Sequence, residues 1–203
     1  MARLLAIETA TAACSVALLE DGALIAERHE IVGRGHAERL VPMIAELPGN
    51  GRADAILVDC GPGSFTGVRV GLAAARALGL GWGADVRGFS SLAVIAAAAT
   101  QTPDAIAVAI AGGHDELFVQ RFALHPLRAL TELASLTPEA AATIVTEAVI
   151  SGSGAAALIA TRGWGEAREA WPRAADVTLL SKEATALPPR PIYGRAPDAT
   201  PQP

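Results

Sequence analysis

The chain of 203 residues has few aromatic side chains, little cysteine, almost no lysine and no long apolar run. Aromatic residues make up 4% of the sequence, and lysine occurs once, at Lys182. The two cysteines, Cys14 and Cys60, lie in apolar stretches, which excludes a disulfide framework and predicts a reduced, cytoplasmic protein. No run approaches the ~18 apolar residues of a membrane span. Glu8 interrupts the first apolar run, so we expect neither a signal peptide nor a membrane partner.

Apolar residues are nevertheless abundant. They make up 51% of the chain, and the net charge is −5. This composition excludes a disordered chain and supports one domain or two small lobes. Lysine and arginine never cluster beyond a pair, which argues against a nucleic-acid-binding surface.

The first half predicts the element order βββαβαβα. Three short apolar runs, with an Asp21-Gly22 turn between the second and third, predict an antiparallel meander. Helical spacing predicts helices over residues 36–47 and 66–81. The apolar run Ala55–Val58 predicts a strand that is buried on both faces.

The second half repeats this order in reduced form. A polar segment at Gln101–Asp104 predicts a boundary between an N-terminal lobe, 1–102, and a C-terminal lobe, 103–203. Residues 129–136 predict a third strand, and Thr137 is expected to cap a short helix that starts at Pro138. The Pro-rich tail from about residue 187 is expected to be extended. The chain therefore predicts a duplicated βββαβα unit.

A glycine-rich loop connects the buried strand to the second helix. It contains Gly61, Gly63, Ser64, Thr66 and Gly67. No Lys-Ser/Thr pair follows, and the glycine spacing does not fit a dinucleotide-binding fingerprint. Spacing alone favours a tight structural turn over a phosphate cradle, although a helix N-terminus can hold an anion.

The second helix carries small residues at four-residue spacing, which places them on one face. They are Gly67, Gly71, Ala75 and Gly79. Glycine inside a helix lowers stability by about 1 kcal/mol relative to alanine, so the repeated glycines of this stripe require an explanation. Two explanations remain open: a partner helix that approaches closely, or packing against the chain's own sheet or first helix.

Other polar residues offer weaker candidates. A metal site at His36 would need a second histidine four residues later, where Leu40 stands, so a hydrogen bond at the helix start is favoured. Glu8 and Asp59 both end strands and could serve a site, although carboxylates there are more often exposed in loops.

Four segments resemble the TsaB (YeaZ) family, the small subunit of the bacterial tRNA threonylcarbamoyladenosine (t6A) machinery. The Gly61–Gly71 segment is the most specific, and the resemblance is dense over residues 1–100. The other segments are Leu5–Leu18, the run from His36 to Ile44, and Pro191–Ala199. The resemblance implies an α/β ASKHA (actin/Hsp70/RNase H-like) fold with two lobes of duplicated βββαβα type, the second reduced.

The resemblance also implies partners. A TsaB-like chain docks the catalytic subunit TsaD, works with the ATPase TsaE, forms a homodimer without TsaD, and meets tRNA only indirectly. It implies no cofactor and no catalysis of its own. The first two helices would form the docking and dimer interface, through His36, Leu40, Met43, Ile44, Gly67, Arg69, Gly71, Ala75 and Gly79.

Three departures support a non-catalytic role. Glu8 stands where the wider fold has aspartate, Ala111-Gly112-Gly113 stands where the family commonly has Asp-Ala-Arg, and Leu40 stands where TsaD has the second histidine of a metal pair. Ser151–Gly154 could be a relic of a nucleotide-facing loop. The main alternative is an ASKHA-type ATPase or kinase that uses Glu8 and the Gly61–Gly67 loop. A metallopeptidase and a stand-alone RNA binder are weaker alternatives.

Overall fold

A computed structural model of the chain describes residues 1–100 and 103–194. The first of its two sheets is mixed and has the strand order β3-β2-β1-β4-β5, with β1 parallel to β4 and antiparallel to β2. Its strands are β1 (Arg3–Glu8), β2 (Ala13–Glu20), β3 (Ala23–Ile31), β4 (Ala55–Asp59) and β5 (Asp85–Phe89). The predicted meander and the buried parallel strand are therefore confirmed.

The second sheet repeats this topology. Its strands are β6 (Ala105–Ala111), β7 (Leu117–Leu124), β8 (Leu127–Ala129), β9 (Ala134–Leu136), β10 (Val149–Ser151) and β11 (Glu166–Arg168). Its order is β11-β10-β6-β7-β8, and β9 pairs with β7. Five of its strands, β6, β7, β8, β10 and β11, repeat the order and directions of β1 to β5, and β9 is an addition. The predicted duplication and the ASKHA-type two-lobed α/β fold are therefore confirmed.

Helices and sheets alternate in layers. The helices are α1 (His36–Ala45), α2 (Phe65–Trp82), α3 (Ser91–Ala98), α4 (Pro138–Ile144) and α5 (Ala155–Arg162). Helices α1 and α2 cover one face of the first sheet, and α4 and α5 cover one face of the second. Helix α3 packs between the two sheets. Within residues 1–100 and 103–194, no helix combines the length and apolarity needed to cross a bilayer.

The central strands are apolar throughout because both of their faces are covered. In β4, Ile56 and Val58 pack under α1 and α2, whereas Leu57 packs toward α3. In β6, Val108 packs against α3 and Ala109 against α4 and α5. Strands with two buried faces carry no polar alternation, which is why β4 appears as a continuous apolar run in the sequence.

The C-terminal quarter departs from the prediction. The expected strand over residues 129–136 is divided into β8 and β9, and a 3₁₀ helix, Ala174–Leu179, was not predicted. This helix packs on the inner face of the first sheet, against Ala6 and Ala17. The sequence placed it in the second lobe, but its contacts tie it to the first. The predicted boundary at 101–102 and the tail beyond Gly194 lie outside the described residues.

The small-residue stripe of α2 faces the chain's own sheet. A Cβ atom at Gly67 would collide with the carbonyl oxygen of Thr9, and one at Gly71 with the Thr9 hydroxyl. A Cβ at Gly79 would lie 2.5 Å from a methyl group of Val86 on β5. The hypothesis that this stripe contacts a partner helix is therefore corrected, because no surface remains there for a partner.

The predicted interface residues of α1 are buried in the same way. His36, Leu40, Met43 and Ile44 all face the first sheet. The opposite side of each helix is exposed to solvent. Val41 of α1 is 59% exposed, and Leu80 of α2 is 89% exposed. Any partner of these helices must therefore contact their outer sides.

Two glycines of α2 provide a matched test of this packing. We expect Gly71→Ala to lower the free energy of unfolding by about 1–3 kcal/mol, because its methyl group meets Thr9. Gly81→Ala, where the added methyl meets nothing within 4 Å, should be neutral or stabilising by up to about 1 kcal/mol. Urea unfolding measures both variants, and equal effects would contradict the assigned packing.

Candidate functional site

Three backbone N–H groups of the Gly61–Gly67 loop are hydrogen-bonded within the chain. The Ser64 N–H donates to the carbonyl oxygen of Ala10 at 2.6 Å, and the Gly61 N–H donates to Asp59 Oδ1 at 2.6 Å. The Ser64 side chain caps α2 by accepting the Gly67 N–H at 3.2 Å. An anion cradle needs such N–H groups to point outward. The geometry therefore favours the structural turn predicted from spacing.

The corresponding loop of the second lobe closes in the same manner. The Gly154 N–H donates to the carbonyl oxygen of Ala109 at 2.9 Å, and Ser153 Oγ accepts the Ala111 N–H at 3.1 Å. In both lobes the loop after the fourth strand of the unit binds back to the end of the first. This repetition makes two small-residue loops that face each other across the space between the lobes.

Glu8 and Asp59 form a buried carboxyl pair at the ends of β1 and β4. Both side chains are essentially inaccessible to solvent. Glu8 Oε1 accepts the Ala10 N–H at 2.8 Å, and the Ser91 hydroxyl lies 3.3 Å from Asp59 Oδ1. The other oxygens, Glu8 Oε2 and Asp59 Oδ2, find no donor elsewhere among residues 1–100 and 103–194. A buried carboxylate oxygen without a donor disfavours the charged form of its group.

The charge of this pair follows from its surroundings. Burial, followed by the repulsion from Asp59, raises the pKa of Glu8 well above its usual value. Burial also raises the pKa of Asp59 to about 6, opposed by hydrogen bonds from Glu8, Gly61 and Ser91. Both shifts favour the protonated form of this buried pair, because burial penalises the charged carboxylates.

A cavity of about 1040 Å³ lies between the lobes. Its walls come from the turn after β1, the start of α2, the β6–β7 turn and a C-terminal segment. Glu8 and Asp59 are absent from its lining, whereas Gly63, Ser64 and Arg69 belong to it. This cavity is the principal candidate binding site among the described residues.

The C-terminal segment, residues 187–194, closes one side of the cavity. Leu187 bridges to Gly88 on β5, and the Ile192 N–H donates to the carbonyl oxygen of Cys60 at 2.8 Å. Arg69 donates to the Tyr193 hydroxyl at 2.8 Å, and its Cζ lies 3.2 Å from the centre of the Phe65 ring. Arg69 therefore fixes two aromatic rings at the cavity rim.

Known proteins with this architecture identify the family. The model of the TsaD family, tRNA N6-adenosine threonylcarbamoyltransferase, matches residues 28–159. YeaZ from Pseudomonas aeruginosa superposes with a TM-score of 0.80 at 32% identity, over 95% of this chain and 100% of that one. The chain belongs to the TsaB/YeaZ family.

Curated relatives match over about half of the chain. TsaB of Escherichia coli K12 is 43% identical over 99 residues, which cover 46% of this chain and 42% of that protein. TsaB of Haemophilus influenzae Rd is 44% identical over 101 residues, which cover 47% and 42%. The matched part thus spans less than half the length of these TsaB relatives.

In this TsaB/YeaZ chain, the predicted site residues lie in four separate places. Gly63, Ser64 and Arg69 reach the cavity, while Glu8 lies buried away from it. Thr66 is exposed in the first turn of α2. His36 Nε2 lies 3.0 Å from the carbonyl oxygen of Ala13, which confirms a hydrogen bond at the helix start. Glu8 and the glycine loop therefore do not form one open phosphate site.

Sequence reasoning missed several residues of the TsaB/YeaZ cavity. Phe118, Trp171 and Tyr193 line it, together with His114 and Glu116 of the β6–β7 turn. These residues are far apart in the sequence and follow no spacing rule. A signal that could have indicated this cavity is Pro191–Tyr193, a short apolar segment within the Pro-rich tail.

The Glu8–Asp59 pair predicts an unusual pH dependence of stability. Unfolded carboxyl groups titrate near pH 4, so between about pH 4 and the raised native pKa values the folded state binds more protons. The pair's contribution to stability is therefore greatest at low pH and falls as pH rises through that window. We expect Glu8→Gln to gain stability relative to the parent chain between pH 5 and pH 8, measured by urea unfolding.

Glu38→Gln serves as the control because Glu38 is an exposed carboxyl group on α1. Its stability should follow that of the parent chain at both pH values. A Glu8→Gln variant that loses stability relative to the parent as pH rises would show that Glu8 is ionised in the folded protein.

Proposed function

We propose that this chain acts in tRNA threonylcarbamoyladenosine biosynthesis as a non-catalytic subunit that docks TsaD. The relatives from E. coli and H. influenzae are each named tRNA threonylcarbamoyladenosine biosynthesis protein TsaB. The related family model describes the transferase TsaD. Two chains built from the same βββαβα unit have similar helical layers with which to pair.

The observation that carries the docking proposal is the outer side of α1 and α2. This surface, called here the outer helix face, carries a group of exposed apolar residues: Val41, Pro42, Ala45, Ala73, Ala77 and Leu80. The residues at its centre are alanines, and because their side chains are short, a partner helix can approach closely. Exposed apolar surface of this kind marks protein interaction sites.

The buried small-residue stripe of α2 fixes the position of the outer helix face. Because Gly67, Gly71 and Gly79 bring α2 onto the sheet, the helix lies close to the sheet and its outer side is held in place. A rigid docking surface loses little conformational freedom on binding, which favours affinity. The stripe therefore acts indirectly, through the position of α2.

The internal bonds of the site support a non-catalytic role. The ATPase alternative needs Glu8 and the glycine loop to face a bound nucleotide. Glu8 instead bonds to Ala10 and Asp59, and the Ser64 N–H is held by Ala10. TsaE would join through the TsaD assembly, and a homodimer would use the outer helix face when TsaD is absent. The net charge of −5 fits a subunit that leaves tRNA to its partners.

A matched pair of variants tests the outer helix face. Ala77→Arg places a large cation at the centre of this face, and we expect at least a tenfold loss of affinity for TsaD. Ala157→Arg makes the same change at an exposed alanine of α5 and should bind normally. Neither should shift the thermal midpoint by more than about 2 °C, because surface substitutions rarely exceed about 0.5 kcal/mol. Normal TsaD binding by Ala77→Arg would contradict the assignment.

The same variants test the function. With the TsaD of the same organism and its accessory proteins, t6A formation on tRNA should depend on this chain. Ala77→Arg should lose t6A formation in parallel with TsaD binding, and Ala157→Arg should retain both. Modification that proceeds equally well without this chain would refute the proposed role.

A further inference from the structure

The two edges of the first sheet, β3 and β5, are protected in different ways. An edge strand offers backbone N–H and carbonyl groups to which another chain can add a strand, so proteins block such edges with charges, proline or a covering segment. Glu27, Arg28 and Glu30 carry charges along the middle of β3. Strand β5 has one charged pair, Asp85 and Arg87, near its start. Its end is covered by a segment of the chain instead.

This segment, residues 187–190, is called here the closing strand. The Gly88 N–H donates to the carbonyl oxygen of Leu187 at 2.7 Å, and the Leu187 N–H donates to the carbonyl oxygen of Gly88 at 3.1 Å. Such an exchange of two bonds is the hydrogen-bonded pair of an antiparallel ladder. Gly88 also lets the closing strand come close, because an added Cβ would lie 3.1 Å from the carbonyl oxygen of Pro188. The end of β5 is therefore paired like the interior of a sheet.

The closing strand cannot extend the sheet any further. The antiparallel register places Pro189 opposite Val86, and proline has no N–H to donate. The Pro189 carbonyl oxygen instead accepts a hydrogen bond from Arg76 Nη2 at 2.6 Å. Pro188 also lacks a donor, and the Arg190 N–H donates to the carbonyl oxygen of Pro188 at 2.8 Å. Every backbone donor of residues 187–190 is thus either absent or already bonded.

Strand geometry shows what the closing strand protects. Alternate residues of a strand point their backbone groups to the same side, so Val86 presents its N–H and carbonyl groups on the same edge as Gly88. If the closing strand moved away, both residues would be available to an added strand. The closing strand lies at the surface, where Pro188 and Arg190 are exposed. Detaching such a surface segment needs only local opening of the structure.

The exposed edge of β5 is complementary to a second copy of itself. If two β5 strands pair antiparallel with Val86 opposite Val86 of the second copy, Asp85 stands opposite Arg87 of the second copy, and the reverse pair forms by symmetry. Opposite charges at directly opposed positions stabilise such a pair of strands. The two side chains already meet within one chain, at 2.6 Å, and both remain more than half exposed. They can therefore pair across a two-fold axis without being desolvated first.

We propose that the closing strand is removable, and that the β5 edge beneath it binds β5 of a second copy of this chain by strand addition. In this way the C-terminal segment controls self-association. The β5 edge is separate from the outer helix face, and the inference does not depend on the proposed function.

Sedimentation velocity of the full chain over a range of concentrations tests this. All the chains carry Ala77→Arg, so that the outer helix face does not contribute to self-association. Adding Arg76→Ala and Leu187→Pro removes two hydrogen bonds that hold the closing strand, and we expect self-association to become about tenfold tighter or more. The matched control carries Arg76→Ala and Leu187→Ala. It keeps the N–H group at position 187 and should associate no more than the chain with Ala77→Arg alone.

A charge reversal separates strand addition from general exposure of apolar surface. In the chain with the loosened closing strand, Asp85→Arg places arginines opposite each other across the proposed two-fold axis and should remove most of the added self-association. Combining Asp85→Arg with Arg87→Asp restores opposite charges and should restore association. Both side chains are exposed, so neither change should disturb the fold.

Hydrogen exchange in the parent chain gives a measurement that needs no variant. The Gly88 amide should exchange faster than the Val58 amide of the central strand β4, because the closing strand opens locally. Equal exchange of both amides at the rate of global unfolding would show that the closing strand is not removable. The proposal would also be overturned if Arg76→Ala with Leu187→Pro added no self-association, or if Asp85→Arg left the added association unchanged. TsaD takes no part in these experiments, so their failure would leave the docking proposal intact.

Discussion

The close approach of α2 to the turn after β1 determines where the outer helix face and the rim of the cavity lie. At Gly63 and Gly67 no side chain fits between the helix start and the backbone of Thr9 and Ala10. The Thr9 hydroxyl also donates to the carbonyl oxygen of Gly67 at 2.8 Å. This contact sets the depth of α2 on the first sheet. It thereby orients the outer helix face away from the sheet and places Phe65 and Arg69 at the rim of the cavity.

The same crossing keeps Glu8 and Asp59 out of the cavity. Glu8 ends β1 one residue before Thr9, and Asp59 ends β4 just before the glycine loop. With the two strands adjacent and parallel, both carboxyl groups are buried at the same edge of the first sheet. Aromatic rings, hydroxyl groups and the side chains of Arg69, His114 and Glu116 line the space between the lobes instead. The molecule thus separates an exposed helix face, suited to a protein, from a cavity between the lobes.

Local patterns predicted much of this fold. The Asp21-Gly22 turn and the spacing of Leu40, Met43 and Ile44 mark the meander and α1, because these depend on nearby residues. The 3₁₀ helix at Ala174–Leu179 escaped prediction because tertiary contacts stabilise it. Spacing showed that Gly67 and Gly71 share a face of α2, but not what that face meets. The aromatic cavity could not be predicted, since its rings come together only through the topology.

The return of the C-terminal quarter to the first sheet has a consequence for biosynthesis. The Ala174 N–H donates to Ser15 Oγ across 159 positions of sequence, and Arg173 pairs with Glu27 at 2.6 Å. During translation, the part of the inner face that Ala174–Leu179 covers stays exposed until these late residues leave the ribosome. The first sheet, although it is made first, is therefore completed by a segment that is made after the strands of the second lobe.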